Sequence, residues 1–177
     1  MLNNLVIAAL ILAVAQPPSS SPLKPITDQD AYSIYATLLP SIWKNRGELL
    51  LLVQETEREA CRVSLPEGWE GVQEDFDRQN KNVWALRPVL PLGDYRLIRR
   101  ADIEADDARL EQEYPGIWQR RPGSIDFAAV SAVGFNAAKT KALVYIRLRG
   151  SGQIHLMEKR DGQWVASREG RRCGWGV

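Results

Sequence analysis

Between Ile125 and Arg168 four apolar stretches follow one another, and each is parted from the next by a turn signal. They are Ile125 to Phe135, Ala142 to Arg149, Gln153 to Lys159 and Gln163 to Arg168. Asn136 to Thr140 closes the first pair and Gly150-Ser151-Gly152 the second, while Asp161-Gly162 supplies the residues a two-residue type I′ hairpin turn requires. Segments joined so tightly pair with their neighbours in antiparallel order, so this third of the chain is predicted to be a four-stranded meander. Along the second strand Ala142, Val144, Ile146 and Leu148 face one side while Leu143, Tyr145, Arg147 and Arg149 face the other, one face core and one amphipathic.

The preceding residues read mostly as helix. Thr27-Asp28-Gln29-Asp30 offers an N-cap hydroxyl with an acid three residues on, and Ala31, Ile34, Tyr35, Leu38 and Ile42 recur at helical spacing. Pro40 should end or kink that helix. Residues 48 to 56 are expected as a strand around Leu49 to Val53, with a second from Ala60 to Leu65 stopped by Pro66. Val72, Phe76, Val83 and Trp84 give an amphipathic helix from about 70 to 85. Tyr95 to Arg99 suits a short strand and Asp102 to Glu113 a helix. Helices first and strands last predict an α+β fold, helices packed on one face of an antiparallel sheet whose C-terminal part is the meander.

The N-terminus carries an address. Leu5 to Ala15 is an uncharged apolar run of eleven residues. As a helix it spans only about 16 Å, short of the ~30 Å hydrocarbon core of a bilayer. It has the length of a secretory h-region, and Ala13-Val14-Ala15 supplies an A-x-A cleavage site, although Met1 to Asn4 brings no Lys or Arg. A buried N-terminal helix or an uncleaved anchor is the alternative. The expectation is a signal peptide over 1–15, a Pro/Ser-rich flexible linker over 16–26 and a single α+β domain over 27–177, exported to the periplasm, cell envelope or medium. About 150 residues is a common size for one domain.

SAVGFNAAKTKALVYI, followed by HLMEKRDGQWV, resembles a pattern found in uncharacterised exported bacterial proteins. The resemblance covers about 40 residues; it implies export and the meander, and brings no activity to any residue.

Composition removes much chemistry. One histidine and two cysteines exclude multi-His zinc sites, and no cofactor or metal is expected. A net charge of +1 is too small for whole-chain attraction to nucleic acid or anionic lipid, so no nucleic acid is expected as a partner, and the short apolar run leaves no stable membrane span expected after signal cleavage. A monomer is expected. Cys61 and Cys173 form an even pair in an oxidising compartment and are read as a disulfide, against two independent thiols. Closing so long a loop would stabilise the fold by about 4 to 5 kcal/mol. His155 falls on the face of its strand shared with Gln153 and Met157, expected to be the exposed one, with no motif supplying a nucleophile or orienting acid.

Three surfaces remain as candidates. Glu55, Glu57 and Glu59 alternate, so in a strand their carboxylates lie about 7 Å apart, within the range of paired acids in glycoside hydrolases; the same pattern also occurs on solvated edges. Glu74, Asp75 and Asp77 read as a solvated helix face. Pro115 to Gly123 frames Trp118, Arg120 and Arg121 between two Pro-Gly pairs, an interface anchor if exposed and a plug for the sheet if buried. Charge is split along the chain: 12 basic against 18 acidic residues over 16–113, and 9 against 3 over 139–177. Arg147 and Arg149 thus belong either to a positive patch that recruits an acidic protein or polysaccharide, or to internal neutralisation against the acidic half. The leading expectation is an exported binding or interaction module of unknown ligand, more a binder than an enzyme. The alternatives are a carboxylate hydrolase acting through Glu55 and Glu57 and a structural envelope protein.

Overall fold

The computed structural model describes residues 22–42, 49–58, 64–93, 95–105, 126–148, 151–167 and 171–173, with 109, 112 and 113. The elements are α1 (Gln29–Ile42), β1 (Leu50–Val53), α2 (Glu70–Gln79), β2 (Tyr95–Ile98), α3 (Arg100–Ala105), β3 (Asp126–Val130), β4 (Gly134–Phe135), β5 (Lys141–Leu148), β6 (Ser151–Arg160), β7 (Gln163–Ala166) and β8 (Arg171–Cys173). Among the described residues they build an α+β fold on one eight-stranded sheet in the order β2-β1-β3-β5-β6-β7, with β4 alongside β5 and β8 alongside β6.

The sheet is mixed, which corrects the expectation of an antiparallel one. β1 runs parallel to both β2 and β3, whereas β3, β5, β6 and β7 pair antiparallel in succession. The parallel pairs follow from chain lengths: α2 lies between β1 and β2, and only a crossover of that length returns a strand in the same direction. Ile125 to Phe135, read as one strand, is two, because the chain turns through Ser131 to Val133 before β4 rejoins the edge of β5. Asp161 and Gly162 both have positive φ, 50° and 78°, as a type I′ turn between β6 and β7 demands.

The helices do not share a face. Ala142, Val144 and Ile146 of β5 pack with Met157, Leu50, Leu52 and Val130 beneath α1. Leu143 and Tyr145, pointing the opposite way, pack with Ile154 and Leu156 beneath Trp69, Val72 and Phe76 of the α2 segment. A strand sends successive side chains to opposite faces, so α1 and α2 cover opposite sides and the supposed amphipathic face of β5 is core. This overturns the one-face arrangement.

Local chemistry explains the helix limits. Asp28, rather than Thr27, caps α1: its Oδ1 accepts the Asp30 N–H at 2.9 Å. Pro40 lies inside the last turn and gives up the N–H that would have bonded to the Ala36 carbonyl, yet α1 runs two residues past it to Ile42, so Pro40 does not itself end the helix. α2 stops at Gln79, short of the expected 85, because the Asn80 side chain turns back to the Phe76 carbonyl at 2.9 Å. Residues 84–86 are then extended, with Ala85 bridging to Pro25 on one side and Glu55 on the other.

Candidate functional site

The polar side of α2 builds a corner. Asn80 Nδ2 donates to the Ala132 carbonyl at 3.1 Å, and Asn80 Oδ1 accepts the Ala132 N–H at 3.0 Å. Asp75, one turn earlier, accepts the Phe135 N–H at 2.7 Å and pairs with Arg78. Between these ties Gly134 lies so close to α2 that a Cβ on it would sit 2.4 Å from the Phe76 backbone. Asp75 is therefore no solvated helix residue, as its place in the sequence had implied; only 12% of its side chain is exposed. The corner is also held from α1. The Tyr35 hydroxyl donates to the Ser131 carbonyl at 2.8 Å, and Ser131 Oγ accepts the Tyr145 N–H at 2.8 Å while donating to Ala132 O at 2.9 Å. Burial pushes the Tyr35 phenol up, so it stays a donor at every physiological pH.

Opposite the corner runs the arm before α1. Ala85 donates its N–H to Lys24 O and accepts from the Ile26 N–H, both at 2.9 Å. Tyr32 joins arm and helix, accepting the Arg87 N–H at 2.8 Å and donating to Ile26 O at 3.3 Å. Arm and corner enclose a cleft of about 170 Å³. Its apolar surfaces come from Ile26, Ala31 and Val133, its aromatic ones from Trp84 and Phe135, and its polar ones from Thr27, Asp28 and Gln79. The Trp84 ring is fixed by its Nε1–H, which donates to Gln79 O at 2.9 Å.

Charge around the cleft is balanced in pairs. Lys139 Nζ lies 2.6 Å from Asp28 Oδ2 and 5.1 Å from the Phe135 ring centre. That carboxylate, as a hydrogen-bond partner, raises the Lys139 ammonium above its ordinary range. Asp30 Oδ1 accepts from Lys159 Nζ at 2.8 Å and from Trp164 Nε1 at 2.9 Å. The Lys159 hydrogen bond holds the Asp30 carboxyl below the usual range against the opposing effect of burial.

The carboxylates considered for hydrolysis lie elsewhere, where β1 runs out and α3 begins. Glu55 Oε2 accepts the Arg100 backbone N–H at 2.8 Å, and Glu57 Oε2 receives Arg100 at 2.8 Å and Arg147 at 3.0 Å. Acceptors held by an N–H and two guanidiniums fit a structural clasp better than an acid that must carry and release a proton. The structure thus brings Glu57 and Arg147 together as an ion pair. Glu59, Trp118, Arg120, Arg121, Arg149 and Cys61 lie outside the described residues, as do the signal segment 1–15 and residues 16–21 of the expected linker. Of Cys173 the backbone alone is described, in β8.

His155 is not on an exposed face. It pairs with Val144 and shares the α1 side with fully buried Met157. Burial pushes its imidazole down to about 4, and its buried Nε2 meets no hydrogen-bond partner among the described residues. Among the described residues no three His, Cys, Asp or Glu side chains converge as a metal site would need.

Sequence reasoning missed the cleft. Thr27 and Asp28 read as a helix start and Trp84 as helix core, and only the unexplained Asn80 and Gly134, a helix stop and a glycine between apolar residues, hinted at a close approach. Comparison with protein-family models, curated proteins and solved structures finds no match.

Proposed function

We propose that the protein is an exported binding module whose ligand site is the cleft between the arm and the Ser131–Val133 corner. The observation that carries this reading is the preorganised wall: hydrogen bonds from Asp75, Asn80, Tyr32 and Tyr35 fix both sides, so little ordering opposes ligand entry. Aromatic and polar groups converging on one concavity are the usual composition of a small-ligand site. The C-terminal strands, as a four-stranded meander, serve as scaffold. Export rests on the eleven-residue apolar run and Ala13-Val14-Ala15. The loop with Trp118, Arg120 and Arg121 is proposed as a second contact for an acidic partner, and the Cys61–Cys173 disulfide as the brace for the C-terminal tail.

Thr27 is exposed on the cleft rim, so Thr27→Trp blocks entry with little cost to folding. Immobilised mature protein should retain a component of envelope extract that Thr27→Trp does not, and the intact mass of exported protein should correspond to a chain beginning at Gln16. Equal retention by both proteins refutes the cleft, and a Met1-initiated mature protein refutes cleavage. Non-reducing peptide mapping should recover Cys61 joined to Cys173; two alkylated thiols in the native protein refute the brace.

A further inference from the structure

The cleft's own chemistry narrows the ligand, and the narrowing rests on the binding reading above. We infer that the cleft takes one pyranose ring of a neutral glycan. Size comes first. At about 170 Å³ the space is close to the ~150 Å³ cavity that admits a single benzene ring, so one six-membered ring fits within it.

Polarity comes second. Trp84 and Phe135 line the space, and the negative face of an aromatic ring attracts the weakly positive C–H groups of a sugar's apolar side. The Thr27 hydroxyl, the Asp28 carboxylate and the Gln79 amide border the same space. A purely aromatic or aliphatic ligand would take these three groups out of water without replacing their hydrogen bonds, which opposes its binding. A pyranose carries hydroxyls around its rim and an apolar face, so it satisfies both kinds of wall at once.

Charge comes third. Asp28 is matched by Lys139 at 2.6 Å, so the rim has no surplus charge to select a cation or an anion. The same pair holds the Asp28 carboxylate in place, and its ionised oxygens are strong acceptors for sugar hydroxyls. The cleft opens to solvent between arm and corner, so neighbouring sugar units can continue outside it.

The test uses the mature wild-type chain labelled with ¹⁵N, titrated with maltotriose, cellotriose and triacetylchitotriose, and with indole as an aromatic probe. The inference expects at least one trisaccharide to shift the Trp84 indole N–H and the Ala132 amide with millimolar or tighter affinity. Thr27→Trp should weaken that binding at least tenfold, while thermal unfolding and the remaining spectrum show the fold intact. Asp28→Asn keeps an acceptor and the ring space and should weaken binding less than Thr27→Trp. If no trisaccharide shifts the cleft resonances, the sugar inference is overturned. In that event retention of an envelope component by wild type but not by Thr27→Trp leaves the binding reading standing; equal retention removes both. Indole shifting the cleft where the sugars do not would overturn the sugar inference in favour of an aromatic ligand.

Discussion

Asn80 is the residue whose replacement most directly tests how the cleft wall is held. Asn80→Ala removes three hydrogen bonds, but their loss is unequal. Phe76 O still accepts the Asn80 backbone N–H at 3.0 Å, and Ala132 O still accepts the Ser131 hydroxyl at 2.9 Å. The Ala132 N–H keeps no partner among the described residues, in a residue only 4% exposed. An orphaned buried donor costs about 1–3 kcal/mol and each of the two weakened acceptors about 0.5 kcal/mol, so the expected loss is about 2–4 kcal/mol. For a domain of this size that lowers Tm by about 4–16 °C. Asn80→Asp separates hydrogen bonding from shape, since it is nearly isosteric. It keeps the acceptor for Ala132 N–H but sets a second carboxylate oxygen against the carbonyls of Phe76 and Ala132, where Asn80 Nδ2 had donated at 2.9 and 3.1 Å. Repulsion disfavours the ionised form, so the folded pKa lies above the unfolded value of about 3.9. The protonated carboxyl's contribution is therefore fully present below about pH 3.9 and lost as pH rises through the raised folded value. Measured against wild type at each pH by urea unfolding with a constant m value, Asn80→Asp should be markedly less stable at pH 7 and recover most of its deficit near pH 4. A loss under about 0.5 kcal/mol in Asn80→Ala, or an Asn80→Asp deficit independent of pH, would refute the reasoning.

Gly134→Ala should destabilise by about 2 kcal/mol or more, because its Cβ would meet the backbone of Phe76 at 2.4 Å and no side-chain rotation relieves that contact; chemical denaturation reads it, and a neutral result would mean α2 can shift. His155, held neutral by burial with its value pushed down to about 4, makes wild type lose stability as pH falls from about 6.5 to about 4, by roughly 3 kcal/mol. His155→Leu should flatten that part of the stability–pH curve, and an unchanged slope would show that the imidazole protonates freely in the folded state. Asp30, whose folded value is depressed chiefly by the Lys159 hydrogen bond, contributes stability above its unfolded value of about 3.9 that disappears as pH falls through the depressed folded value. Asp30→Asn should cost about 1 kcal/mol at pH 7, modest because both partners are partly solvated, and progressively less as pH falls below about 3.9; a cost that does not change with pH would rule out the charge as the cause.

Much of the scaffold was legible because it obeys one period at a time. α1 has a helical stripe, β5 to β7 alternate between turn residues, and Asp161-Gly162 has the composition of its turn. What escaped was written in no period. The alternation on β5 shows two faces, but whether Leu143 and Tyr145 meet solvent or a helix depends on where Val72 and Phe76 dock, and both answers give the same strand sequence. The cleft is less legible still. Asp75 and Asn80 look like polar helix residues until the Ser131 to Phe135 segment, more than fifty residues later, arrives with backbone groups that need partners.

The charge asymmetry shows why sequence alone left two readings of the basic C-terminal part open. Lys139 and Asp28 are 111 positions apart, and Lys159 and Asp30 are 129 apart, yet each pair is in contact, as are Arg147 and Glu57. Partly solvated pairs of this kind contribute little stability singly. Their value is in orientation: α1 turned about its axis, or β6 slipped along β5, would strand Asp30 and Lys159 without each other while the apolar contacts could still re-form with neighbours. Matching acids of the early helix to bases of the late strands therefore selects one docking of α1 on the sheet. Among the described bases of the C-terminal part, Lys141 and Arg160 are also engaged, by Gly68 O at 3.2 Å and by Glu158 at 2.7 Å. A sequence count cannot separate a patch from such pairing, because both give the same surplus. The described residues supply pairing, so the arginines left for an acidic partner lie outside them, Arg120, Arg121 and Arg149 included; replacing those three with Ser should weaken salt-sensitive capture, whereas Lys139→Ser should instead loosen Asp28 at the cleft rim.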